Sequence, residues 1–157
     1  MSVAKPLTIG GKSRNIIAGA SSGARNPEGK KAEEHAEMYY ESVRKMKTDI
    51  IRIAKNTGFE ETQIRDVKNY IFNDVHDLAD NGDRRFFPDF AMAESWQRLI
   101  NGNIEPHDLT LLKHELEEMK FVKMGKTQSE AHDLASIKYN YTQEVIEFYD
   151  KIKKSKD

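Results

Sequence analysis

The stretch PHDLTLLKHELEEMKFVKMGKTQSEAHDLASIKYNY, residues 106–141, predicts a helical hairpin. Pro106 suits the first turn of a helix, where the missing N–H of proline costs no hydrogen bond. Gly125 follows the last apolar position of the first helix, which is typical of the residue that ends a helix. Thr127 and Glu130 have the spacing of a capping box, which opens the second helix. The start and stop signals agree, so the hairpin organises the interpretation of the whole chain.

The first helix of this hairpin carries a second stripe of polar residues. Its main apolar face has three- and four-residue steps and comprises Leu109, Leu112, Leu116 and Met119. His114 and Glu118 lie beside that face, one turn apart, and we expect them to be half solvated. Folding the second helix back across Gly125 brings His132 within about one turn of Glu118, at roughly 1.5 Å rise per residue. These three polar side chains are predicted to converge, with Glu115 beside them.

Length and composition limit the classes of function. The 157 residues suit one domain, and 25 Lys and Arg against 26 Asp and Glu give a formal net charge of −1. This balance argues against a protein that binds nucleic acid or anionic membrane by its overall charge. The chain has no cysteine, which excludes disulfides and thiolate metal sites. No apolar run approaches membrane-spanning length and no signal peptide is visible, so no membrane partner is expected.

The rest of the chain predicts an all-α single domain of about five helices, closed by the C-terminal hairpin. Residues 1–25 are rich in Gly, Ser and Ala, which predicts a flexible or irregular segment before a domain of residues 26–157. Val75 is expected on the core side of the second helix, and Trp96 in the core from the third. Helical spacing predicts helices over about residues 27–56, 60–78, 88–102, 106–124 and 128–153.

Two adjacent arginines are candidates for substrate binding. Arg84 and Arg85 lie in the polar segment between Asp80 and Phe87, which carries a glycine and separates two predicted helices. Planar guanidinium groups bind phosphate or carboxylate with two parallel hydrogen bonds. Loops held by a rigid scaffold often carry function, although a solvated charged turn explains the same residues.

A metal site is one interpretation of the hairpin. His114, Glu118 and His132 would give zinc two imidazoles and a carboxylate and leave a fourth position for water. Glu115 would then act as general base. The segment HELEE, residues 114–118, lacks the second histidine of the His-Glu-x-x-His zinc-protease motif.

Acid–base cleavage of RNA, which needs no cofactor, is the other chemical interpretation. Histidine titrates near neutral pH, so two histidines can deprotonate a 2′-hydroxyl and protonate the leaving oxygen. The candidate pairs are His114 with His132, or His76 with either of them. A cation would stabilise the charge that builds on the phosphate, and the candidates are Arg84, Arg85 and Lys138. Structural histidines paired with Glu118 or Asp77 would explain the same pattern without activity.

Several strings together resemble a known family. RNPEGKKAEEHAEMYY, KTDIIRIAKNTGF, NYIFNDVHDL, SWQRLI and PHDLTLLKHELEE…SEAHDLASIKYNY are similar to a C-terminal domain of phage head-morphogenesis (MuF-type) proteins and of other bacterial polymorphic toxins. The resemblance covers about Arg25 to Tyr141. It implies a toxin effector domain that a larger carrier protein delivers to the cytoplasm of a bacterial target cell and a cognate immunity protein neutralises. The matching positions are His35, His76, Asp77, His114, Glu115, Glu118 and His132.

The sequence therefore supports three functions. The preferred one is a hydrolytic toxin effector, a nuclease that acts on RNA through histidine and glutamate, because toxins of this size often attack nucleic acid. The second is a zinc-dependent hydrolase or peptidase that uses the hairpin residues. The third is a non-enzymatic binding module associated with a phage or toxin.

Overall fold

The computed structural model describes residues 29–78 and 82–156, and most of these residues are helical. The α-helices are α1 (Lys30–Lys45), α2 (Asp49–Thr57), α3 (Glu61–Lys68), α4 (Phe90–Asn101), α5 (Pro106–Lys123), α6 (Gln128–Lys138) and α7 (Tyr141–Lys156). Two short strands, β1 (His76–Leu78) and β2 (Gly82–Arg84), pair in antiparallel fashion. The predicted all-α class is confirmed. The predicted irregular segment, residues 1–25, lies outside the described residues. No helix in the described ranges is both long and apolar enough to cross a bilayer.

The C-terminal hairpin forms, with both ends of its first helix and the start of its second where the sequence predicts them. Pro106 occupies the first turn of α5, and Gly125 has a φ of 101° in the turn that follows this helix. The Thr127 hydroxyl accepts from the Glu130 N–H at 3.1 Å, and the Glu130 carboxylate accepts from the Thr127 N–H at 3.0 Å. The hairpin helices α5 and α6 then pack closely against each other. Local sequence signals therefore set the register between the two helices.

Two of the five predicted helices are each divided in two. The helix expected over residues 27–56 breaks after Met46, whose backbone is extended, and restarts as α2. The helix expected over residues 128–153 breaks at Tyr139 and Asn140, between α6 and α7. The apolar spacing continues across the first break and gave no sign of it, whereas Lys138 interrupts the spacing directly before the second break.

The helix predicted over residues 60–78 ends earlier than expected. After α3, Asn69–Asn73 form a π-helical turn, closed by a 2.7 Å bond from the Asp74 N–H to the Asn69 carbonyl. Residues 76–78 are strand β1, so the helix prediction is wrong there. Val75 was expected on the core side, but it is 64% exposed because the chain has left the helix before it.

The helix α4 carries the centre of the core. Trp96 is fully buried, as predicted, and its ring packs edge-on against Phe72 at 5.2 Å. Phe72 in turn packs against Tyr40 of α1 at 4.5 Å. Aromatic side chains from α1, the π-helical turn and α4 therefore fill one continuous core against which α5 is placed.

A buried ion pair joins three helices beside this core. Asp49, at the start of α2, accepts a hydrogen bond from the Lys68 ammonium at 3.0 Å and one from the Trp96 indole N–H at 3.1 Å. The backbone N–H of Ile50 also donates to this carboxylate, at 3.0 Å. The three donors satisfy a charge that would otherwise be costly to bury.

Candidate metal centre

Three side chains of α5 and α6 bring one potential ligand atom each to a common point. Nε2 of His114 lies 3.0 Å from Oε1 of Glu118 and 3.2 Å from Nδ1 of His132. The third edge, from Oε1 of Glu118 to Nδ1 of His132, is 3.2 Å. The atoms thus form a nearly equilateral triangle, in a group that has the composition of a metal site. The convergence predicted from the hairpin register occurs in the structure.

Hydrogen bonds account for two edges of this triangle, because Oε1 of Glu118 can accept from both imidazoles, and leave the 3.2 Å contact between the two imidazole nitrogens without one. An imidazole nitrogen carries one hydrogen or one lone pair, directed outward in the ring plane, so it aligns well with only one edge. A zinc ion with four tetrahedral ligands at about 2.0–2.1 Å sets those ligands about 3.3 Å apart. The observed edges of 3.0–3.2 Å are close to that spacing. The three atoms therefore fit one face of a metal coordination shell.

The tautomer of His114 is fixed by the backbone. Nδ1 lies 2.9 Å from the carbonyl oxygen of Tyr139. A carbonyl only accepts, so Nδ1 carries the hydrogen and, in the neutral ring, Nε2 directs a lone pair into the triangle. Metal-bound histidines commonly donate their other N–H in this way.

The carbonyl of Tyr139 is available because the chain breaks between α6 and α7. In a continuous helix this carbonyl would accept from the N–H four residues later, that of Gln143. Here the Gln143 N–H donates instead to the side chain of Asn140, at 3.1 Å. Asn140 thus acts as the N-cap of α7, and the preceding carbonyl accepts from His114 and from the Tyr141 N–H, the latter at 3.0 Å.

Glu118 is oriented by donors on the oxygen that faces away from the triangle. Oε2 accepts from the Tyr70 hydroxyl at 2.6 Å and from the Gln128 side-chain amide at 3.2 Å. These contacts direct Oε1 toward the two imidazoles. Hydrogen bonds of this kind around a carboxylate are typical of the groups that hold metal ligands in place.

The site is more buried than the sequence indicated. His114 is 2% exposed and Glu118 fully buried, whereas both were expected to be half solvated. The reason is that α3, the π-helical turn and α7 all pack against α5. The His132 side chain is 31% exposed, so the triangle approaches solvent on the α6 side.

Two opposing effects act on the pKa of His114. Burial lowers it, but the hydrogen bond to Glu118 and the charges of Glu115 and Glu118 raise it, and the net shift is upward. The site therefore favours positive charge at this position, whether a proton or a metal ion supplies it.

Glu115 is fully buried beside the triangle on the same helix. Successive residues of an α-helix are rotated by about 100° around its axis. Viewed along the axis of α5, His114 and Glu115 are therefore about 100° apart, and Glu118 lies between them. The charge of Glu115 raises the pKa values of His114, Tyr70 and Tyr40. This position is compatible with the general base expected from the sequence.

The other predicted residues do not join the triangle. His76 lies in β1, where Nε2–H donates to the Tyr70 carbonyl at 2.7 Å and the ring stacks on Phe86 at 3.9 Å. The Arg84 guanidinium lies 3.7 Å from the centre of the Phe87 ring and donates to the carbonyl of Arg85. His35 packs against Phe90 and Tyr39 on another part of the molecule, and Arg85 and Lys138 are exposed.

Three groups that surround the triangle were not predicted: Tyr70, Gln128 and the Tyr139 carbonyl. Tyr70 reaches Glu118 from a π-helical turn that apolar spacing does not predict. The Tyr139 carbonyl is available only through a helix break. Gln128 directly follows Thr127, so the capping box located its backbone but not its contact with Glu118.

No family model matches this chain, and neither a curated protein nor a solved structure matches it. The resemblance to phage-associated toxin domains therefore stays a prediction from the sequence, and the function of the site must be argued from its geometry.

Proposed function

We propose that the protein is a zinc-dependent hydrolase whose metal is held by His114, Glu118 and His132. The observation that supports this most directly is the triangle of ligand atoms with edges of 3.0–3.2 Å, in which the backbone fixes the tautomer of one imidazole. Two imidazoles and a carboxylate are a ligand set used by catalytic zinc, and three protein ligands leave one coordination position for a substrate or water.

The residues of the site divide into two roles. Bound zinc would polarise the bond to be cleaved and lower the pKa of the attacking water toward about 7. Glu115 is the general base that accepts the proton from this water. In the His-Glu-x-x-His motif the base directly follows the first ligand, and Glu115 has that position relative to His114. Glu118 takes the place of the second histidine, four residues after His114.

A toxin effector that cleaves RNA is the second candidate, and its support comes from the strand region. The Arg84 guanidinium stacks on Phe87, whose ring is 61% exposed, and guanidinium and aromatic planes both stack on unpaired bases. The family resemblance adds a larger carrier, a cognate immunity protein and action in a bacterial cytoplasm as proposals. The two candidates differ in whether catalysis needs a metal ion and in the bond that is cleaved.

The test combines metal analysis with three single substitutions. His132→Ala removes the partly exposed ligand, and is preferred to His114→Ala because His114 is buried and its loss would destabilise the fold. Glu115→Gln removes the base and keeps all ligands. Asp133→Asn, an exposed neighbour on α6, is the control. Metal content is measured by mass spectrometry, and hydrolysis is followed on denatured protein and on total RNA.

We expect one zinc per chain in wild type, Glu115→Gln and Asp133→Asn, and none in His132→Ala. Glu115→Gln should lower the rate on whichever substrate is cleaved by a factor of about 10²–10⁴. Stoichiometric iron would contradict a zinc hydrolase, since two histidines and one carboxylate also hold iron in oxygenases. RNA cleavage that survives a chelator and the Glu115 substitution would contradict it in favour of metal-free catalysis.

A further inference from the structure

Tyr70 makes a short hydrogen bond to the candidate metal centre from a different part of the chain. Its hydroxyl donates to Oε2 of Glu118 at 2.6 Å, within the roughly 2.5–2.7 Å range of hydroxyl donors to ionised carboxylates. An ionised carboxylate only accepts hydrogen bonds, so the Tyr70 hydroxyl is the donor in this contact.

The π-helical turn Asn69–Asn73 holds Tyr70 in place. The wider turn leaves the Tyr70 carbonyl free to accept from the His76 side chain, at 2.7 Å. The Tyr70 ring packs edge-on against the stacked pair of His76 and Phe86, with centroid distances of 4.5 and 5.6 Å. Tyr70 is thus held at its backbone, its ring and its hydroxyl. Single π-helical turns inside α-helices are frequent at functional sites.

We propose that Tyr70 is a positioning residue that makes Glu118 a metal ligand through one oxygen. By donating to Oε2, together with Gln128, it keeps the carboxylate from rotating and directs Oε1 into the triangle. His76 acts one contact further away, because it holds the carbonyl and ring of Tyr70. This role gives the π-helical turn and strand β1 a function in the metal centre. The inference rests on the metal centre of the proposed function.

Tyr40 provides a matched control. It is also a fully buried tyrosine in the core, but its hydroxyl donates to the sulfur of Met92 at 3.6 Å, a weak acceptor far from the hairpin ligands in sequence. Tyr40→Phe and Tyr70→Phe therefore make the same chemical change, and of these two hydroxyls the Tyr70 hydroxyl is the one bonded to Glu118.

The experiment measures metal affinity and coordination instead of activity. Zinc dissociation constants are determined by competition with a chelating dye for wild type, Tyr70→Phe, Tyr40→Phe and His76→Ala. The visible spectrum of the cobalt-substituted protein reports ligand geometry, and urea unfolding of the metal-free protein reports the fold. We expect Tyr70→Phe to weaken zinc binding about 10- to 100-fold and to change the cobalt spectrum. His76→Ala should shift both in the same direction, and Tyr40→Phe should match wild type.

The outcomes separate this inference from the proposed function. If wild type binds no zinc, the metal centre itself is wrong. If wild type binds zinc and Tyr70→Phe binds it equally well with an unchanged cobalt spectrum, the positioning role is wrong and the metal centre stands. If Tyr70→Phe does not fold, His76→Ala decides: unchanged affinity and spectrum there would overturn the proposal.

Discussion

Arg98 lies between two buried residues whose pKa values are shifted in opposite directions. Its guanidinium donates two hydrogen bonds to Asp108, at 2.8 and 2.9 Å, and a third to Nε2 of His107 at 3.0 Å. Glu94 is more distant, at 3.8 Å. Burial raises the pKa of Glu94 to about 7, against the charge of Arg98, and burial lowers the pKa of His107 to about 4.

These shifts predict that Glu94 and His107 change the free energy of unfolding in opposite directions as the pH rises. A substitution of Glu94 separates its contribution from that of His107. The folded state holds a proton on Glu94 that the unfolded state loses above its ordinary pKa of 4.5, so this residue costs stability as the pH rises from 4.5 to 7. His107 acts in the opposite direction, because its contribution to the free energy of unfolding increases as the pH rises from 4 to 6.5. The free energy of unfolding of Glu94→Gln, relative to that of wild type, should therefore increase by up to about 3 kcal/mol as the pH rises from 4.5 to 7.

Urea unfolding of both proteins across this pH range measures the difference. Glu37→Gln, an exposed change on α1, is the control and should parallel wild type. A difference between Glu94→Gln and wild type that stays constant from pH 4.5 to 7 would show that Glu94 titrates normally.

The residues of the candidate metal centre were predictable only where they lie on one hairpin. His114 and Glu118 are four residues apart on a helix, and the capping signals set the position of His132 opposite them. Tyr70 comes from a separate part of the chain, so only the packing of α3 and its π-helical turn on α5 reveals it. Backbone acceptors such as the Tyr139 carbonyl have no signature in side-chain spacing.

Among the helices, the break before α7 links local structure to the candidate site. Asn140→Ala removes the acceptor of the Gln143 N–H and should cost about 1 kcal/mol, the usual value of an N-cap. The released N–H then competes with His114 for the Tyr139 carbonyl. We therefore expect weaker zinc binding as well as lower stability, although Asn140 is exposed and is not a ligand.

Thr127→Ala is the matched control, because it removes an N-cap from α6 and leaves the Tyr139 carbonyl unchanged. Both variants should lose similar stability in urea unfolding of the metal-free protein. Equal zinc affinities in the two variants would contradict a specific role of the break.

The boundaries of the helices were predictable where a cap marks them and were missed where none does. Pro106, Gly125 and Thr127 mark both ends of α5 and the start of α6 as expected. The breaks at residues 46–48 and 139–140 have no glycine or proline, and tertiary contacts stabilise them instead: the Met46 carbonyl accepts from Lys68, and the Tyr139 carbonyl accepts from His114.

At the scale of the whole molecule, the ion pair of Asp49 and Lys68 connects the start of α2 to the end of α3 beside the aromatic core. Lys68→Met would leave the Asp49 carboxylate buried without its cation, which should cost at least about 3 kcal/mol. The double variant Asp49→Asn with Lys68→Met should be the more stable of the two, because it buries no uncompensated charge. Urea unfolding compares them, with the exposed Lys45→Met as the control. A single variant as stable as the double one would contradict this account.

The break between α6 and α7 also bears on protein engineering. A design procedure that favours regular helices would replace Tyr139 and Asn140 with strong helix formers and fuse the two segments. The fused helix would use the carbonyl at position 139 for its own hydrogen bonding, and His114 would lose its acceptor. The redesigned chain would be the more regular protein but would lose a contact that holds His114, so thermostability is a misleading criterion for selecting variants at these two positions.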